Sequence, residues 1–183
     1  MNYDSLNQSQ TKTSQNSRLP MARNDFVAAF NTVLTPFEKA ELKTLELAND
    51  MIYYAGDILT RPNVAAARIN EDDEDNYYVL KTKDQLLYRF EVVKVLGKGS
   101  FAQVVSAIDH FKGVLVAIKL NRNTEIDHKF AQQEGKLLRF LMREDPKDEH
   151  NIVRMIDHVR FRSHQCFVFE LLNMDLFEHL KEN

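Results

Sequence analysis

The order of apolar segments between residues 88 and 170 constrains the fold more than any other feature of this chain of 183 residues. Five short runs have the alternation or β-branched content of strands, and one longer run has helical spacing. They follow in the order strand, strand, strand, helix, strand, strand, over residues 88–96, 103–108, 114–120, 127–143, 153–161 and 165–170. Because short turns favour antiparallel neighbours, we expect an α+β fold with a five-stranded antiparallel sheet and one helix.

Lys119 and Glu134 are charged residues in apolar surroundings. Lys119 directly follows the apolar run 114–118, and Glu134 lies four residues after Phe130 and four before Leu138 on an apolar helical stripe. Lysine and glutamate are rarely buried unless paired, because breaking a buried pair costs about 3–5 kcal/mol. Either residue alone is explained by a side chain that reaches solvent at the edge of its element. Both within one strand–helix unit predict an ion pair.

The turn Gly97-Lys98-Gly99-Ser100 joins the first two predicted strands. It does not connect a strand to a helix, so it is not a Rossmann or Walker phosphate loop. An ordinary hairpin explains a lone Gly-x-Gly between strands, whereas glycine also lets the backbone approach a phosphate closely. Lys119 lies on the next strand, where its ammonium could reach phosphates covered by the turn. The combination indicates a phosphate site beneath the hairpin.

Three motifs together resemble the small lobe of a protein kinase over about residues 89–183: Gly97-x-Gly99-x-x-Ala102-x-Val104, Val116-Ala117-Ile118-Lys119 and Glu134. Further strings resemble the dual-specificity tyrosine-phosphorylation-regulated kinases: Tyr88-Arg89-Phe90-Glu91-Val92, Leu96-Gly97-Lys98-Gly99-Ser100-Phe101 and Phe169-Glu170-Leu171-Leu172. Upstream, residues 34–38, residues 52–56 and the acidic run 71–75 before Tyr77 resemble that family's N-terminal accessory region, with a longer spacing between its halves.

This resemblance implies a binding site for ATP. Lys119, oriented by Glu134, would hold the α- and β-phosphates as the catalytic pair. The resemblance also implies apolar contacts to adenine from Leu96, Val104 and Ala117, and a gatekeeper residue, Phe169, beside the adenine. The backbone of Glu170 and Leu172 would form hydrogen bonds to the base, and Asp175 would lie near the ribose. The turn that would cover the phosphates consists of Gly97, Lys98, Gly99, Ser100 and Phe101. Mg²⁺ would be held by the large lobe, and we expect no metal site in this chain.

Two residues depart from an ideal kinase lobe. Ala102 stands where the motif has its third glycine, which adds a Cβ at the end of the turn with a modest expected effect. Gly135 lies inside the predicted helix next to Glu134 and costs about 1 kcal/mol relative to alanine. We expect this glycine to loosen the ion pair.

Three regions divide the chain. Residues 1–25 are rich in Gln, Asn, Ser and Thr and are predicted to be disordered. Residues 34–87 form an accessory region, in which Thr35, Pro36 and Glu38 predict a helix start with a capping box. We expect that helix to run to Tyr54, before Gly56, and the acidic run 71–75 to be a solvated loop. Residues 88–183 form the kinase-like lobe, truncated where the large lobe would begin.

Two function hypotheses follow. The first is the ATP-binding part of a dual-specificity kinase that transfers the γ-phosphoryl group of ATP to serine, threonine and tyrosine hydroxyls of protein substrates. No Asp-Phe-Gly or His-Arg-Asp string occurs in the 183 residues, so we expect the chain alone to be inactive. The alternative is a non-catalytic, kinase-like interaction module.

Bulk properties narrow the partners and the compartment. The net charge of −3 gives no reason to expect a nucleic acid or an anionic membrane as partner. The sequence has neither an apolar stretch of about 20 residues nor a secretory signal. Its single cysteine, Cys166, cannot form an internal disulfide. We therefore expect the protein in the cytoplasm or the nucleus.

Overall fold

A computed structural model describes residues 19–67, 72–173 and 180–181. The strands and α-helices are β1 (Met21–Ala22), α1 (Arg23–Phe30), α2 (Pro36–Thr44), β2 (Met51–Ile52), β3 (Gln85–Leu86), β4 (Phe90–Lys98), β5 (Ala102–Asp109), β6 (Val114–Asn121), α3 (Glu125–Glu144), β7 (Met155–Phe161) and β8 (His164–Glu170). Within the described residues a two-stranded sheet pairs β1 with β2, and a six-stranded sheet has the order β3-β4-β5-β6-β8-β7, with every pairing antiparallel.

The predicted α+β architecture is confirmed. The five predicted strands correspond to β4 through β8, and the predicted helix corresponds to α3, which begins two residues earlier than expected at Glu125. Thr124 caps α3, because its hydroxyl accepts a hydrogen bond from the Asp127 N–H at 3.1 Å. The sixth strand, β3, has only two residues, which is too short to produce an alternating pattern in the sequence.

The large sheet has two faces with different roles. Side chains alternate along a strand, so Val116, Ile118 and Leu120 share one face, and all three are buried. We call this the core face; Tyr78, Leu86 and Leu87 pack into the same hydrophobic cluster. Burying an aliphatic side chain such as Val116, Ile118 or Leu120 contributes roughly 1.5–3 kcal/mol to the free energy of folding. The opposite face, which carries Ala117 and Lys119, is called the cleft face, and α3 packs on part of it.

Helix α2 begins as the sequence predicts and ends earlier. The Thr35 hydroxyl accepts from the Glu38 N–H at 3.1 Å, and the Glu38 carboxylate accepts from the Thr35 N–H at 2.8 Å, which completes the capping box. The prediction that the helix runs to Tyr54 is wrong, because Leu45 takes an extended conformation and packs against both core clusters. Asn49 then has a positive φ of 52°, which a right-handed helix does not allow.

The predicted disorder over residues 1–25 is wrong for its last part. Residues 1–18 lie outside the described residues, but Met21 pairs with Ile52 and the helix α1 starts at Arg23. Phe26 is fully buried, and its ring centroid lies 6.3 Å from that of Tyr88. Leu19 and Met21, which belong to the polar stretch, pack against the same hydrophobic cluster as Phe26 and attach residues 19–25 to the accessory region.

Arg162, in the turn between β7 and β8, fastens the accessory region to the sheet. Its Nε donates to a Glu41 carboxylate oxygen of α2 at 2.8 Å, and a second guanidinium nitrogen donates to the Tyr78 hydroxyl at 2.6 Å. The Tyr88 hydroxyl donates to the other Glu41 oxygen at 2.9 Å. This network fixes α2 against the core-face side of the sheet.

None of the described helices is long and apolar enough to cross a membrane.

Candidate functional site

The predicted ion pair between Lys119 and Glu134 is present. Lys119 Nζ donates to the two Glu134 carboxylate oxygens at 2.6 and 2.8 Å. The side chains are 26% and 32% exposed, so the pair is less buried than its apolar sequence neighbours suggested. The reason is that Phe130 and Leu137, two residues of the predicted apolar stripe, are themselves more than half exposed. A ligand in the cleft can therefore reach the Lys119 ammonium.

Strand pairing places the predicted site residues side by side on the cleft face. Gly97 pairs with Val104, Val104 with Lys119, and Lys119 with Phe167, which forms one row across four strands. Paired residues share a face of the sheet. Ala117 lies two residues before Lys119 on the same face and pairs with Phe169. The structure thus brings together Gly97, Val104, Ala117, Lys119 and Phe169.

The two glycines of the turn have open space where a Cβ would lie. A Cβ on Gly97 would meet no atom within 4 Å, and one on Gly99 would meet only the Ala102 carbonyl oxygen, at 3.9 Å. The packing of the described residues therefore does not require glycine at either position. The missing Cβ atoms leave the backbone accessible to a ligand, which is what a phosphate-covering turn needs.

Gly135 lies at a close contact between α3 and the sheet. A Cβ there would lie 2.9 Å from His158 Cε1 and 3.2 Å from Phe167 Cε1. The rings of His158 and Phe167 stack with their centroids 4.4 Å apart, and α3 lies directly on them. The glycine thus allows α3 to approach the sheet closely beside Glu134. The expectation that Gly135 loosens the ion pair overlooked this contact.

Several other residues that were predicted to contact the nucleotide are exposed to solvent or form contacts with residues outside the cleft-face row. Leu96, Phe101 and Leu172 have large exposed fractions, and the ring of Phe101 lies 6.5 Å from that of Phe130 on α3. Ser100 is exposed at the tip of the turn. The Glu170 N–H donates to the Arg154 carbonyl oxygen at 3.1 Å. Lys98 Nζ donates to Asp73 at 2.8 Å, and this hydrogen bond raises the pKa of Lys98. Asp175 lies outside the described residues.

A protein kinase domain model matches residues 90–183, which is 94 of the 183 residues. The chain belongs to the protein kinase family. The resemblance to dual-specificity tyrosine-phosphorylation-regulated kinases is also confirmed. The chain is 40% identical over 162 residues to the dual-specificity tyrosine-phosphorylation-regulated kinase mbk-2 from Caenorhabditis briggsae. It is 35% identical over 168 residues to dual-specificity tyrosine-phosphorylation-regulated kinase 3 from Rattus norvegicus. It is 32% identical over 175 residues to dual-specificity tyrosine-phosphorylation-regulated kinase 4 from Homo sapiens.

These alignments cover 87%, 90% and 94% of this chain but only 19%, 28% and 33% of the three relatives. The chain thus spans between about a fifth and a third of the length of these kinases. The row of cleft-face residues and the Lys119–Glu134 pair lie inside the matched kinase domain, whereas α1, α2 and β1 to β3 precede it.

Sequence reasoning missed a set of polar contacts made by the acidic run. The run was expected to be solvated, but Asp72 accepts from the buried His164 ring at 2.9 Å and from the Asn123 amide at 3.0 Å. The other His164 ring nitrogen lies 2.7 Å from the Asn121 carbonyl oxygen. One signal in the sequence was available, because two tyrosines with bulky apolar rings follow the run after a single residue, Asn76. Among the described residues, no group of three or more His, Cys, Asp or Glu could hold a metal ion.

Proposed function

We propose that this chain is the nucleotide-binding part of a dual-specificity protein kinase. The observation that carries the proposal is the Lys119–Glu134 pair, partly exposed and in register with the open glycine turn. The proposed ligand is ATP, and the proposed acceptors are serine, threonine and tyrosine hydroxyls of protein substrates. The cytoplasm or the nucleus is the proposed location, with no nucleic acid or membrane as partner.

The residues present fit a bound nucleotide. Lys119 would hold the α- and β-phosphates, and Glu134 would keep the ammonium directed into the cleft. Val104, Ala117 and Phe169 offer apolar surface on the same face, and the turn offers backbone amides near the phosphates. ATP supplies the transferable phosphoryl group, and Mg²⁺ neutralises charge that develops on it. No Asp-Phe-Gly string occurs in the sequence, so we assign only nucleotide binding to this chain and phosphoryl transfer to a longer kinase that contains it.

The proposal is tested by titrating the chain with Mg·ATP and comparing it with Lys119→Met. Removing a charged hydrogen-bond donor from phosphate should weaken binding by tenfold or more. Lys112→Met is the matched control, because Lys112 is exposed in the turn between β5 and β6, away from the cleft row. The proposal fails if the folded chain does not bind ATP at millimolar concentration, or if Lys119→Met and Lys112→Met bind ATP equally well.

The second candidate, a non-catalytic interaction module, is favoured by one observation. Four large apolar side chains of α3 are exposed: Ile126, Phe130, Leu137 and Phe140. Such a surface suits a contact with another protein or another domain. The same titration discriminates the two functions, because an interaction module has no need of ATP binding that depends on Lys119.

A further inference from the structure

The acidic segment, residues 72–78, lies behind the glycine turn on the core-face side of the sheet. Lys98 pairs with Gln103, and Gln103 shares a face with the buried Val105. The Gln103 amide donates to the Tyr78 carbonyl oxygen at 2.6 Å, and Lys98 Nζ lies 3.8 Å from the centroid of the Tyr77 ring. The segment therefore contacts the turn from the face opposite to Lys119.

Tyr77 makes the direct contact with the turn. Its hydroxyl donates to the Gly99 carbonyl oxygen at 2.5 Å, and the residue is only 7% exposed. Its ring is near two cations, because the Arg122 guanidinium is 5.8 Å from the ring centroid in addition to the Lys98 contact. Each such cation–π contact contributes to holding the ring in one orientation.

The segment is itself held rigidly. Asp73 N–H donates to the Tyr77 carbonyl oxygen at 2.8 Å, and the Tyr77 N–H donates back to the Asp73 carboxylate at 2.9 Å. The Asn123 N–H donates to the Asn76 carbonyl oxygen at 2.9 Å. Asp72 is held by His164, whose ring is fully buried. The backbone that carries Tyr77 is thus fixed by hydrogen bonds to residues outside the glycine turn, and the Tyr77 hydroxyl is a well-positioned donor.

A trans peptide places the carbonyl of one residue and the N–H of the next in opposite directions. Tyr77 holds the Gly99 carbonyl on the core-face side, so the Ser100 N–H of the same peptide unit is directed to the other side. On that side lies Lys119, in register with the turn through Val104. We propose that Tyr77 is a positioning residue, which orients the Ser100 amide toward the phosphates of a bound nucleotide. This inference rests on the proposed function.

The chain provides a matched control for Tyr77. Tyr78 is the next residue, it is also buried, and its hydroxyl accepts a hydrogen bond from Arg162, which lies outside the turn. Tyr77→Phe and Tyr78→Phe each delete one buried hydroxyl and keep the ring. A purely structural role for either hydroxyl would lower thermal stability without changing which part of a nucleotide is recognised.

The test measures the affinity of the folded chain for ATP and for adenosine. Because Tyr77 acts through the phosphate-facing amide, Tyr77→Phe should weaken ATP binding by about threefold to tenfold, which is the effect of one hydrogen bond. Adenosine binding should change by less than about twofold. Tyr78→Phe should leave both affinities as in the wild type. In the wild-type chain, the Ser100 amide NMR signal should shift on addition of ATP and stay in place with adenosine.

The outcomes separate this inference from the proposed function. A wild-type chain that binds neither ligand overturns both. A chain that binds ATP, but in which Tyr77→Phe weakens ATP and adenosine equally or weakens neither, refutes the positioning role alone. If Tyr77→Phe does not fold, the NMR signal of the Ser100 amide in the wild-type chain is the deciding measurement. The positioning role is refuted if this signal does not shift with ATP, and it is supported if the signal shifts with ATP and not with adenosine.

Discussion

Replacing Gly135 by alanine sets two opposing effects against each other inside α3. Alanine is better than glycine in a helix interior by about 1 kcal/mol, so propensity alone predicts a more stable protein. The new Cβ, however, would lie 2.9 and 3.0 Å from two atoms of the His158 ring and 3.2 Å from Phe167. The sequence alone shows only the first effect.

The His158 ring cannot move away freely. It stacks on Phe167, its Nε2 is bonded to Gln165 at 3.0 Å, and its Nδ1 lies 2.9 Å from an Arg139 nitrogen. Arginine only donates, so Nδ1 accepts and Nε2 carries the proton. Inserting a methyl group into such a packed contact costs about 1–3 kcal/mol. The net expected effect of Gly135→Ala is a loss of about 1 kcal/mol, or about 2–4 °C in Tm for a protein of this size.

Thermal unfolding followed by circular dichroism measures this difference, and a second background isolates its cause. In a His158→Ala protein the ring is absent, so adding Gly135→Ala should there leave stability unchanged or raise it by up to about 1 kcal/mol. If Gly135→Ala raises Tm in the wild-type background, the close approach of α3 to the sheet does not limit this position, and the reasoning from the contact distances is wrong.

Two further outcomes follow from the site. Gly97→Ala should keep the wild-type Tm, because its Cβ meets no atom within 4 Å, yet weaken ATP binding by titration; a lower Tm with unchanged affinity would contradict the open-space argument. Burial lowers the pKa of His158 below 6.5, so on acidification the unfolded chain takes up this proton first. Stability should therefore fall as the pH drops below about 6.5, and His158→Gln should reduce that loss when denaturant midpoints at pH 7.5 and 5.5 are compared.

Local patterns were enough to predict much of the fold and part of the site. The capping box at Thr35, the start of α2 and the strands from β4 onward depend on residues close together in the chain, and they appear as expected. The Lys119–Glu134 pair was also predictable, because only 15 residues separate its members and both stand out from apolar neighbours.

Features that depend on distant contacts were not predictable in this way. Asp72 and His164 are 92 residues apart, and nothing in either neighbourhood indicates the other. The acidic run therefore looked like a solvated loop. The close contact between Gly135 and His158 was hidden for the same reason, as was the early end of α2, where Leu45 leaves the helix to join two separate clusters.

The link through Arg162 sets an order of events during synthesis. Its partner Glu41 precedes it by 121 residues, so at about 5–20 residues per second roughly 6–24 s pass between the translation of the two. Throughout that interval Glu41 has been made, but the Arg162 guanidinium that pairs with it has not. The ion pair between Glu41 and Arg162 therefore cannot form until the turn between β7 and β8 has left the ribosome, whereas the pair between Glu38 and Arg61, which are only 23 residues apart, can form earlier.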